Sequence, residues 1–163
     1  MNIIFLDIDG VLNSVNKLIE IYHQTKKPHS GYQYPFDEKC LRNLQILVQE
    51  TDAQIVVTST WRKDEEGKET LQSALKEYGL DKRVIGYTPV LFNQKRGKEI
   101  QEYLSQLESR PHFVILDDDL DMEELLPFLV KTNIQTGLTH KNAREAIEIL
   151  RMKNRKEETE MER

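Results

Sequence analysis

Residues 2–10 read NIIFLDIDG, and this stretch decides the fold. Its apolar run is short, rich in β-branched residues and stops at Asp7, which marks a buried strand rather than a helix. In extended chain, residues two apart project to the same side. Asp7 and Asp9 therefore face one space beyond the strand end, and Gly10 lets the backbone turn away from it. Two carboxylates so placed can divide labour on one phosphorus: one attacks, the other exchanges a proton with the leaving oxygen and then with water. Asp and Gly are also ordinary turn formers, so the stretch needs support from the rest of the chain.

That support comes from repetition. Short apolar runs recur at 54–58 (QIVVT), 84–87, 112–116 (HFVIL) and 128–132 (FLVKT). Between them lie segments of helical period. Residues 14–24 carry Val15, Leu18, Ile19 and Tyr22 on one face. Asp37 is placed to cap a helix to about residue 50, with Cys40, Leu41, Leu44, Leu47 and Val48 inward. Further helices are expected at 67–78, stopped by Gly79, at about 97–107 and at about 140–152. Residues 25–35 (TKKPHSGYQYP) read as a loop. Strands alternating with helices predict an α/β fold: a Rossmann-like parallel sheet of about five strands flanked by helices on both faces. Residues 1–152 are expected to form one domain, and 153–163 a charged tail that frays.

A net charge of -5 gives no sign of general nucleic-acid affinity, although it leaves room for a local basic groove. Cys40 is the single cysteine, so no internal disulfide forms, and a reducing compartment fits. The N-terminal apolar run is too short and lacks the basic leader of a signal peptide. No window approaches the ~20 apolar residues of a membrane span. A cytoplasmic protein is expected, away from membranes and without an obligate protein partner.

Polar clusters sit where strands end. Thr58-Ser59-Thr60 closes the second run and Asp117-Asp118-Asp119 the fourth. Open parallel sheets bind ligands outside the carboxyl ends of their strands, so three clusters at three strand ends converge on one site. Asp7, Asp9, Asp117 and Asp118 offer hard oxygen ligands of the kind magnesium takes. Acidic residues at 117–124 would also suit a helix start. Thr58 and Ser59 can donate to phosphate oxygens. Lys95, Arg96 and Lys98 surround Gly97 at a helix start, where any of the three could neutralise a phosphoryl oxygen. Trp61 could stack on a base and Arg62 pair with a phosphate; equally, Trp61 could pack on the core and Arg62 bridge carboxylates. Tyr32, Tyr34, Lys26 and Lys27 could form a flap over the site or a plain surface turn. His23, His29, His112 and His140 show no ligand spacing.

Taken in order, FLDIDGVLN, VVTST, KRGKEI and ILDDD resemble the four motifs of the haloacid dehalogenase superfamily, over roughly residues 1–150. The resemblance implies a magnesium-dependent phosphomonoesterase. Asp7 would be the nucleophile, Asp9 the acid/base, Thr58 the second motif and Arg96 the third. Of the acidic pair Asp117 and Asp118, it favours Asp118 as the metal ligand. The third motif is usually Lys, so Arg96 departs from the pattern. Within the superfamily the stretches TSTWR, RGKEI and TGLT look like the domain of Swiss-army-knife RNA repair proteins, which implies action on nucleic-acid ends. Alternatives are a phosphatase of small metabolites or phosphoproteins, or a silent phosphate- or metal-binding module. Intervals 12–36 and 59–95 leave no room for a large cap domain, so an open cleft is expected.

Overall fold

The computed structural model describes residues 1–162, with the backbone alone for 153–159. Five strands form one parallel sheet: β1 (Asn2–Leu6), β2 (Gln54–Val57), β3 (Val84–Tyr87), β4 (His112–Asp117) and β5 (Leu129–Lys131), in the order β3-β2-β1-β4-β5. Strand β1, which ends at Asp7, is thus central. Ile4 and Leu6 face one core with Leu44, Leu47, Leu75 and Ile147. Ile3 and Phe5 face the other with Ile100, Phe113, Ile115 and Met122. Burial on both sides explains why β1 is an unbroken apolar run instead of an alternating one.

The helices are α1 (Val15–Thr25), α2 (Glu38–Thr51), α3 (Glu65–Lys76), α4 (Arg96–Ser105) and α5 (His140–Met161). Asp37 caps α2 as expected, its carboxylate accepting from the Lys39 N–H at 3.0 Å, and Cys40, Leu41, Leu44, Leu47 and Val48 are all buried. Helix α3 starts earlier than its apolar period suggests. Asp64 is its cap, accepting from the Gly67 N–H at 2.9 Å. Helix α5 runs on to Met161, past its expected end at Met152. The fraying proposed for the 153–163 tail falls mostly outside the residues described with side chains. Helix α1 buries none of its residues, and Ile19 and Tyr22 on its apolar face stay half exposed. The 25–35 loop contains a short 3-10 turn, Gly31–Gln33. No helix among the described residues is long and apolar enough to cross a membrane.

Candidate active site

Strand register builds the site. Leu6 pairs with Val57 on one side and Leu116 on the other. The next residues along these three strands are Asp7, Thr58 and Asp117, so parallel pairing alone sets them side by side. The ladder continues into them: the Asp7 N–H donates to Leu116 O at 3.0 Å, and the Thr58 N–H to Leu6 O at 2.9 Å. Connections leave β1 toward β2 on one side and later return to β4 on the other, which makes this edge the switch point where open α/β sheets bind ligands.

Asp7, Asp117 and Asp118 each bring a carboxylate oxygen to within 4.8 Å of the others. Gly10 makes this packing feasible. Its φ is +78°, and a Cβ there would meet Asp118 Oδ2 at 2.5 Å. Asp7 and Asp117 are both buried. Burial pushes the Asp7 carboxyl up to about 6, opposed by Arg96 and reinforced by repulsion from Asp118 and Asp9. Burial and the Asp7 charge push Asp117 up to about 8. Three acids crowd one point with a single guanidinium against them, and a hard divalent cation fits that donor set. The carboxylate of Asp9 stands outside this group, exposed and turned toward Trp61 and Asn13.

The cation facing the nucleophile is Arg96. Its guanidinium lies 3.5 Å from Asp7 Oδ1 and 4.0 Å from Asp117 Oδ2, and donates to the Thr58 carbonyl. The start of α4 is pinned by the Arg96 N–H to Asp121 Oδ2 at 3.3 Å and the Gly97 N–H to Asp121 O at 3.0 Å. A side chain at 97 would collide with the Met122 backbone. Lys98 pairs outward with Glu123 at 3.2 Å, and Lys95 is exposed before the helix. The Thr58 hydroxyl is buried without a hydrogen-bond partner, a donor left open at the reacting edge. Ser59 is buried, and its hydroxyl accepts from the Trp61 N–H at 3.2 Å.

Of the two readings open for Trp61 and Arg62, substrate contact or packing and bridging, the structure places both side chains in packed surroundings. Only 3% of Trp61 and 5% of Arg62 is exposed, so the indole offers no open face to a base and the guanidinium none to a phosphate. Trp61 packs edge-on against Tyr32 and Phe36. Arg62 donates to the carbonyls of Thr58, Ser59, Thr88 and Pro89 and pairs with Glu99 at 2.8 Å. It is the brace that joins the β2 edge to the loop before α4. Glu99 is a component that sequence reasoning missed. It lies one helical turn after Arg96, 3.7 Å from it, and couples both arginines; the i,i+3 spacing in RGKE was the available signal. Asn13 was missed as well, although it lies inside the quoted first motif. A cavity of about 840 Å³ between α1, α2 and the turn before α5 contains none of these groups.

A parallel sheet with an acid cluster, an unpartnered threonine and a partly buried arginine at its switch point defines a haloacid dehalogenase-like core, the class of a phosphohydrolase-type enzyme. The chain belongs to the family described as the HAD domain in Swiss Army Knife RNA repair proteins, whose model matches residues 3–143. Neither a curated protein nor a solved structure matches it.

Proposed function

We propose that the protein is a magnesium-dependent phosphomonoester hydrolase that works through an aspartyl-phosphate on Asp7, with a nucleic-acid end phosphate as its substrate. The observation that carries the reading is the convergence of Asp7, the Arg96 guanidinium and the open Thr58 hydroxyl at one strand edge. Asp7 and Asp118, with Asp117 beside them, would hold magnesium, which supplies the positive charge that lets a carboxylate approach a phosphate dianion. Arg96 neutralises phosphoryl oxygens from the side of α4, and the Thr58 hydroxyl donates to one of them. Asp7 attacks phosphorus as the bond to the leaving oxygen breaks, and Asp9 delivers the proton that this oxygen takes. Water then attacks the aspartyl-phosphate; Asp9 takes its proton, and phosphate leaves with Asp7 restored.

The nucleic-acid end rests on the family description and on the open cleft. The test is phosphate release from a panel of phosphorylated metabolites and end-phosphorylated oligonucleotides. Turnover is expected with magnesium and none with chelator; full turnover in chelator overturns the reading.

A further inference from the structure

Asp9 is exposed, and an exposed aspartate ordinarily samples several rotamers. Here its carboxylate is gripped at both oxygens. The Trp61 indole N–H lies 3.3 Å from Oδ1 and 3.3 Å from Oδ2, and the Asn13 amide donates to Oδ1 at 2.8 Å. Neither donor can swing. Asn13 is 2% exposed, and its own carbonyl oxygen accepts from the Gly10 N–H at 2.9 Å. The Trp61 ring is wedged edge-on between Tyr32, with centroids 5.0 Å apart, and Phe36, at 5.4 Å. Tyr32 is tied in turn by its hydroxyl, which donates to Asp64, the cap of α3. The loop after the first motif and the start of α3 therefore converge on one indole N–H.

Packing alone does not explain this indole. A smaller aromatic ring could be accommodated by the wedge without a buried N–H that must find an acceptor. The acceptor it finds is the proton-exchanging carboxylate. We infer that Trp61, with Asn13, is a positioning residue: it fixes the plane of the Asp9 carboxylate so that its proton meets the leaving oxygen, while the loop at 31–36 holds Trp61 in place. This rests on the reading of Asp9 as acid and base given above. Precise placement of a general acid matters most when the leaving group is poor, because a good one departs without a proton.

The experiment uses the whole chain with magnesium and two substrates of similar shape, p-nitrophenyl phosphate and phenyl phosphate, whose leaving groups differ in basicity. Trp61→Phe keeps an aromatic ring in the wedge and removes the N–H together with the second ring of the indole. Its kcat on phenyl phosphate is expected to fall about tenfold or more, against threefold or less on p-nitrophenyl phosphate, with KM within about twofold on both. Asn13→Ala removes the other donor and adds no charge beside Asp9, so it provides the same comparison if Trp61→Phe does not fold; the same selective loss is expected. Equal losses on the two substrates, or none, overturn the positioning role. A wild-type protein that releases phosphate from neither aryl ester nor from an end-phosphorylated oligonucleotide instead overturns the phosphatase reading itself.

Discussion

An amide oxygen at position 7 carries no negative charge with which to attack phosphorus. Asn fills the same volume as Asp and keeps the backbone N–H bond to Leu116. Asp7→Asn should therefore preserve the fold and lower kcat on the order of a thousandfold or more, the scale on which losing a covalent nucleophile is felt. Steady-state phosphate release and a melting curve on the same preparation check both halves, and near-normal turnover sinks the covalent mechanism. Arg96 reaches the same carboxylate. Its Nη1 lies 3.5 Å from Asp7 and 4.0 Å from Asp117 and donates to the Thr58 carbonyl, while its Nε lies 3.7 Å from Glu99, so the two sides of one guanidinium join the acid cluster to α4, where a lysine presents one point charge.

At the scale of elements, Arg62 joins the end of β2 to the loop that precedes α4. It serves four carbonyls and the Glu99 carboxylate, so removing it strips several buried acceptors of their donor and leaves the buried Glu99 charge with only the longer contact to Arg96 and the Leu91 N–H. That kind of loss costs about 3–5 kcal/mol, which for a domain of this length is a fall in Tm of roughly 10 °C. Arg62→Ala is expected to show that fall by calorimetry; a raised KM with Tm unchanged would instead mark Arg62 as a phosphate ligand. This arginine also marks how far sequence reaches. The strands, α2 and the convergence of Asp7, Thr58 and Asp117 are legible because β1 is buried on both faces and parallel register follows from that. What α1 covers is not legible, because an apolar stripe such as Ile19 and Tyr22 looks the same whether a core lies under it or not. The roles of Trp61 and Arg62 were equally hidden. A guanidinium that pairs with carbonyls cannot be told from one that pairs with phosphate until the loop at 88–91 is seen folded over it. Asp64 was readable in principle as the α3 cap but was masked by the polar residues around it.

For the molecule as a whole, the acid cluster opposes folding, and its pH dependence has a definite sign. Burial and the Asp7 charge raise the native pKa of Asp117 to about 8 from its ordinary value of 3.8. Between those values the native state keeps a proton that the unfolded chain releases, so stability is lost as pH rises through the window. Asp117→Asn removes the titrating group and retains an oxygen for the Asp119 N–H. With no metal present it should melt roughly 3 °C or more above wild type at pH 8 and within about 1 °C at pH 4; equal melting at pH 8 in thermal scans refutes the strained cluster. Substrate choice is also a property of the whole shape. The interval after the first motif holds only α1 and a loop, and the interval between Thr58 and Arg96 is occupied by α3 and β3 of the core. Neither contains a domain-sized cap. The cavity of about 250 Å³ beside Arg96 has neither Asp7 nor Asp118 in its lining, so it does not enclose the acid cluster. A small phosphate ester would gain little there beyond its phosphoryl contacts, whereas a long substrate can spend remote binding energy on the reacting bond. The net charge of -5 works against a polyanion and limits the gain at low salt. An oligonucleotide with a terminal phosphate should still exceed the matching mononucleotide in kcat/KM by about tenfold, through the remote contacts that raise transition-state binding. Parallel progress curves on the two substrates decide the matter, and a clear preference for the mononucleotide or for a sugar phosphate defeats the assignment to nucleic-acid ends.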